Sequence, residues 1–133
     1  MAPIRFLSMA EVLTIYEDQI RRYGGKYGIR DISLLSSAIA LPEATFSGKY
    51  LHKSIPEMAG AYAFHICQNH PFFDGNKRTA LAASLVFLDI NGYEFTCEED
   101  KLYETIMSVA KGDMKKADLV VFYKTYSKRC RSA

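Results

Sequence analysis

Ten residues, His70 to Thr79, read HPFFDGNKRT and gather side chains able to do chemistry on a phosphate. His70 is the type that exchanges protons near neutral pH without a large shift. Asp74 is a hard oxygen ligand. Mg²⁺ takes one or two such carboxylates and leaves its other positions to water and phosphate oxygens. Gly75 lets a ligand come close to the backbone, and Asn76 opens a helix whose first amides have no partners within it, a natural anion site. Lys77 and Arg78 then set two full charges at a helix start that is already partly positive, where acidic residues belong. Behind them runs ALAASLVFLDI, apolar enough for a core. Cations placed against the local rule, with no structural return, point to a functional site. A bound polyphosphate would offset them.

Taken singly, these residues say little. A histidine at a helix end is more often structural than catalytic, an Asp-Gly pair is usually a turn, and two basic residues in a first turn usually form a solvated face. A base, a metal carboxylate and a cationic helix start on one tight loop are a different matter. One of Phe72 and Phe73 is expected to anchor that loop in the core. A zinc site of His65, His70 and Asp74 is disfavoured, because positions five apart do not share a helical face and Pro71 breaks the geometry. No G-x-x-x-x-G-K-[ST] phosphate loop occurs.

The elements that must hold this loop read as helices. Ser8 and Glu11 have the spacing of a capping box, and Met9, Val12, Leu13, Tyr16, Ile20 and Tyr23 follow as a helical stripe that stops at Gly24-Gly25. Asp31 can cap a shorter helix through Ala40, closed by Pro42. Residues 42–53 show no helical period, and Ser47-Gly48 between short apolar flanks suits a small hairpin. Ser54 and Glu57 form a second candidate box before the stripe Ile55, Met58, Ala59, Tyr62, Ala63, Ile66 and Cys67. The next helix, from about Asn76 to Ile90, is apolar nearly all round and is expected to be the central, buried one. It ends at Asn91-Gly92. A third box, Thr96 with Glu99, should lead a helix to about Lys111, and Asp113 should cap a last helix carrying Leu119, Val120 and Tyr123. No alternating pattern is long enough for a sheet. The expected architecture is all-α, a single helical bundle over residues 1–133 with one short hairpin.

Composition narrows the class further. At 133 residues the chain is long enough for a hydrophobic core, with 49% hydrophobic and 24% charged residues and a net charge of +2. That charge implies no direct nucleic-acid binding, and the basic end at 128–131 reads as a solvated terminus. Cys67, Cys97 and Cys130 form no C-x-x-C pair. Nothing approaches the roughly 20 apolar residues of a membrane span, so a cytoplasmic location is expected.

The stretch His70-Pro-Phe-Phe-Asp74-Gly-Asn76-Lys77-Arg78 resembles the core motif of the Fic/Doc family, H-x-F-x-[DN]-[GA]-N-[KG]-R. Gly28-Ile-Arg30-Asp31, the helix ending near Pro42, and Asn91-Gly92-Tyr93 resemble its short Doc (death-on-curing) branch. The likeness covers roughly residues 10–110. It implies the Fic fold and ATP-dependent modification of a protein hydroxyl. His70 would be the general base, and Asp74 would hold Mg²⁺ on the nucleotide. Gly75, Asn76, Lys77 and Arg78 would bind the phosphates, with the last three stabilising charge as the bond breaks. The hairpin of Thr45, Phe46, Ser47, Gly48, Lys49 and Tyr50 would be a flap that aligns the target segment as an added strand.

Two departures from the larger Fic branch matter: Lys77 replaces a glycine, and Leu81 stands where a second arginine would be. Both resemble Doc, and imply a toxin that transfers the terminal phosphate of ATP to a Ser or Thr hydroxyl. Adenylyl transfer (AMPylation) is the alternative. A third reading is a catalytically inactive helical domain that binds a nucleotide or a partner. The chain has no Glu-Gly or Glu-Asn dipeptide, so it lacks the inhibitory motif often carried by Fic proteins. The resemblance therefore implies a separate antitoxin protein in a bacterial cytoplasm. For Doc the target is translation elongation factor Tu, which is the substrate the likeness suggests.

Overall fold

In the computed structural model, residues 3–130 are described. Ser8 accepts the Glu11 amide (3.1 Å) while the Glu11 carboxylate accepts the Ser8 amide (2.9 Å), and this reciprocal pair starts α1, Met9–Tyr23. The Asp31 carboxylate accepts the Leu34 amide to start α2, Ile32–Ala40. A short 3₁₀ turn at Leu41–Glu43, with Pro42 buried, follows. The hairpin is present as β1, Thr45–Phe46, and β2, Lys49–Tyr50, paired antiparallel with Thr45 opposite Tyr50. Ser47 and Gly48 both take positive φ, 52° and 78°, the pattern that matches a two-residue turn to the twist of its strands.

Two helices joined by a six-residue loop form the frame of the molecule: α3, Ile55–Asn69, and α4, Asn76–Ile90. The apolar character of α4 suggested that it would be the enclosed centre, but that place belongs to α3. It packs against α2, α4, α5 (Glu99–Ala110) and α6 (Lys116–Tyr126). Its middle is made of small residues, Ala59, Gly60, Ala61 and Ala63, all buried. A Cβ on Gly60 would lie 3.2 Å from the Val120 Cα, so side-chain size at this one position sets how closely α6 approaches. Bulk, not hydrophobicity, decides which helix is in the middle.

Three tyrosines are fully buried, and each hydroxyl has a partner. Tyr62 accepts the Leu7 amide at 2.9 Å, Tyr16 accepts the Gly28 amide at 2.7 Å, and Tyr123 pairs with Ser84. Burial pushes the Tyr62 phenol up to about 12 and raises that of Tyr123 as well.

Several expectations fail in detail. Only half of the second capping box forms: the Ser54 hydroxyl accepts the Glu57 amide, but the Glu57 carboxylate accepts the Lys53 amide and sits 3.6 Å from Lys124. The third box is absent. Thr96 gives its amide to the Tyr126 carbonyl, which holds the chain extended, and α5 starts after Glu98. Asp113 does not cap α6, because its amide is turned back to the Ser108 carbonyl; the Asp118 carboxylate instead accepts the Lys115 amide. A second antiparallel pair exists as well, β3 (Tyr93–Phe95) with β4 (Ser127–Arg129). The basic stretch through Cys130 thus has a paired backbone, while the Lys128 and Arg129 side chains are exposed to solvent as expected. Three-residue strands separated by two helices leave no alternation to read. Among the described residues no helix is long and apolar enough to cross a membrane.

His52 and His65 lie inside this frame, with His52 Nδ1 and His65 Nε2 buried and without hydrogen-bond partners. Burial first, and Lys116 second, lowers both from the ordinary value of 6.5, with His65 brought down to about 4. Between those two pH values the unfolded chain takes up a proton that the fold excludes, so stability falls as pH drops through the window. The melting temperature should decline from pH 6.5 to pH 4, with His65 contributing on the order of 2 kcal/mol. His65→Leu should flatten the decline while leaving stability near pH 8 almost unchanged.

Candidate active site

The loop between α3 and α4 must turn the chain in six residues while burying Pro71 and Phe72. Buried backbone groups need partners, and here one side chain supplies two. The Asn76 carboxamide donates to the Phe72 carbonyl and accepts the Phe72 amide, both at 3.0 Å. Phe72 is thereby pinned with its ring stacked on Tyr16 of α1, centroids 3.8 Å apart and planes within 5°. Of the two candidate anchors Phe72 takes the role, and Phe73 is 44% exposed.

A second loop, residues 24–31, lies along the first. The Arg30 and Asp31 amides both donate to the Pro71 carbonyl (2.7 and 3.0 Å), and the Phe73 amide donates to the Gly28 carbonyl (3.1 Å). The Asp74 carboxylate accepts the Lys26 amide at 2.6 Å, and the Lys26 ammonium stands 4.6 Å from the Phe73 ring centroid. None of these partners was evident beforehand. The glycines at 24, 25 and 28 signal only that the chain leaves a helix, not which loop it will meet.

This frame leaves a small cleft of about 180 Å³, with His70, Asp74, Gly75, Asn76 and Lys77 on its wall. His70 ends α3 in a left-handed conformation (φ 49°, ψ 54°), costing about 1–2 kcal/mol for a residue with a Cβ. Its side chain is exposed. Gly75 precedes α4 with φ 80° and offers no side-chain cap, so the first amides of the helix face outward without a protein carboxylate over them. A Cβ at Gly75 would lie 3.0 Å from Ile20. Positive φ and the packing of Ile20 both require glycine there.

The two anomalous cations part company. Lys77 is on the cleft wall, whereas Arg78 is not: its guanidinium donates to the Gly24 carbonyl (3.3 Å) and lies 5.2 Å from the Tyr23 ring centroid. Among the described residues the ion pairs involve other cations, not Lys77. Asn76 contributes its backbone to the helix start, its side chain being committed to Phe72.

Residues 45–50 do not line this cleft. Lys49 and Tyr50 line a second, larger one of about 940 Å³, together with Ile55 at the start of α3 and Ile90 at the end of α4. Ile55 and Met58 of α3 line the second cleft and Cys67 and His70 the first, which puts the two about 14–22 Å apart along the helix axis.

The chemistry open to the first cleft is limited by its walls. Burial pushes the Cys67 thiol up to about 11, so it is no thiolate nucleophile at neutral pH. Among the described residues no three His, Cys, Asp or Glu side chains cluster as a metal cage. A cation at Asp74 would take most of its ligands from water or phosphate, the habit of Mg²⁺. One Asp74 oxygen is held by Lys26 and the other remains to bind it.

A family model described as "Fic/DOC family" matches residues 6–88. The chain is 40% identical over 78 residues to "Toxin Doc" of Mycolicibacterium smegmatis (strain ATCC 700084 / mc(2)155), an alignment covering 59% of this chain and 60% of that relative. It is 28% identical over 111 residues to "Protein kinase doc" of Escherichia phage P1, covering 84% of this chain and 86% of that one. The match to the first thus spans less than two thirds of that relative's length.

Asn76→Ala should cost about 2–3 kcal/mol, because it strands a buried amide and a buried carbonyl at Phe72. Asn76→Asp keeps the acceptor and loses the donor, so urea midpoints should fall in the order wild type, Asp, Ala. An alanine variant as stable as wild type would remove the loop from this account.

Proposed function

This chain belongs to the Fic/DOC family, and we propose that it is a Doc-like toxin that transfers the terminal phosphate of ATP to a Ser or Thr hydroxyl of a protein. The observation that carries the reading is Lys77 on the wall of the same cleft as His70 and Asp74, at a helix start with no capping side chain. A free ammonium beside outward-facing amides suits the charge of a phosphoryl group in transfer.

His70 removes the proton from the target hydroxyl, whose oxygen bonds to the γ-phosphorus as the bond to the β–γ bridging oxygen breaks. ADP leaves with that electron pair. Lys77 and the first amides of α4, with Gly75 allowing close approach, stabilise the charge on the transferred phosphoryl oxygens. Arg78, held by the Gly24 carbonyl and the Tyr23 ring, adds positive charge to the same helix start without lining the cleft. Asp74 supplies a carboxylate oxygen to Mg²⁺, which when bound neutralises part of the phosphate charge.

A relative is named a toxin and another a protein kinase; both names support this reading. A toxin of this kind is held in check by a separate antitoxin, and translation elongation factor Tu is the first target to examine. The exposed hairpin at Thr45–Tyr50 is the segment offered to the target as a strand to pair with.

Induction in bacteria should arrest growth for the wild type and not for His70→Ala, with a phosphoryl mass appearing on one or few cellular proteins. Removing the base should slow transfer by about 100- to 10,000-fold while the fold survives. ATP labelled on the terminal phosphate should pass its label to the target; label arriving from the adenine would mean adenylyl transfer. Asp74→Ala should abolish phosphoryl transfer and the magnesium-dependent part of ATP binding, and a variant that keeps a magnesium-dependent rate near that of the wild type would contradict the role given to that carboxylate.

A further inference from the structure

The end of α3 presents a capping problem that its own sequence solves only in part. A helix ending in a left-handed residue is usually closed by the amide of the next residue, which donates back into the last turn. Here the left-handed residue is His70, whose own amide donates to the Ile66 carbonyl (3.3 Å), but the next is Pro71, which has no N–H to add the second closing bond. The last carbonyls of α3, at the negative end of the helix dipole, are left for another donor.

That donor is Arg30. Its Nε donates to the His70 carbonyl at 2.7 Å and its Nη2 to the Asn69 carbonyl at 3.0 Å. The Arg30 amide holds the Pro71 carbonyl at 2.7 Å, and Ile29 bridges to Phe72. One residue thus grips three consecutive carbonyls, at 69, 70 and 71, from backbone and side chain together. Arg30 is exposed and makes no ion pair among the described residues, so its guanidinium is committed to this backbone and not to a carboxylate. The Asn69 side chain adds a further tie, donating to the Leu34 carbonyl at 2.9 Å.

We propose that Arg30 is a positioning residue for His70: by forking across the carbonyls of Asn69 and His70 it holds the left-handed backbone from which the imidazole enters the cleft. The inference rests on the reading of His70 as the base. The planar guanidinium has two parallel donors at fixed spacing, whereas an ammonium is a point donor on a flexible stem.

Arg30→Met should lower kcat for phosphoryl transfer by about 10- to 100-fold, the cost of a small misplacement of a reacting group. The KM for ATP should stay within about twofold, since the phosphate-binding wall at Gly75–Lys77 is untouched. Arg30→Lys should keep the fold and recover only part of kcat, and guanidinium ion at low, non-denaturing concentration should partly restore Arg30→Ala. Unchanged kcat in Arg30→Met, a loss shared equally by kcat and KM, or full activity in Arg30→Lys would each overturn the assignment. The backbone amide signal of His70, read by NMR with labelled histidine, provides a test independent of turnover. It should move in Arg30→Met, and an unmoved signal overturns the positioning role. A wild-type protein that transfers no phosphoryl group overturns the proposed function and leaves that signal to decide the role of Arg30.

Discussion

The exchange between the Asn76 carboxamide and both backbone groups of Phe72 is the constraint on which the cleft depends. A carboxamide is the side chain that carries a donor and an acceptor in one plane, as a peptide does, so Asn76 acts as a piece of β-ladder inside a helical protein. It lets six residues reverse the chain with Phe72 buried against Tyr16. The positions of His70 before the loop and Lys77 after it follow from that. Any shift of Phe72 would open the distance between a base carried on one helix and a cation carried on the next.

Around that exchange the molecule divides its labour by depth. The buried groups, Asn76, Phe72 and Tyr16, fix the backbone, and His70 and Asp74 stay exposed at its edge, where the proposed chemistry needs them. The loop at 24–31 works from the outside through backbone donors, two to Pro71 and one to Asp74. Of the paired cations that opened the question, the protein satisfies one. Arg78 finds a carbonyl and an aromatic face. Lys77 finds neither.

Much of this could be read from the chain. Stripes at helical spacing gave α1 and α3 nearly residue by residue, and α4 runs over the expected Asn76–Ile90. Local signals worked where the paired groups had no rival, as with Ser8 and Glu11. They failed where another group, near or distant, competed for the same donor or acceptor. Thr96 is a good capping residue, but its amide is claimed by Tyr126. Asp113 loses the start of α6 to a turn closed on Ser108. The β3–β4 pair joins residues more than 30 positions apart, and nothing in three residues announces such a partner. The site was legible as a set of residue types; the hold of the 24–31 loop on it was not, because glycines tell where a chain may bend and not what it will touch.

The hairpin and the cleft sit toward opposite ends of α3, and on the proposed function this has a consequence for what a target would look like. An extended polypeptide advances about 3.3 Å per residue, so one paired along Lys49 and Tyr50 would need about four to seven residues to bring a hydroxyl to His70. Identity would then be read at one place and altered at another, as with a ruler whose zero mark lies well away from the cut. Sequence immediately beside the modified residue would be left largely free.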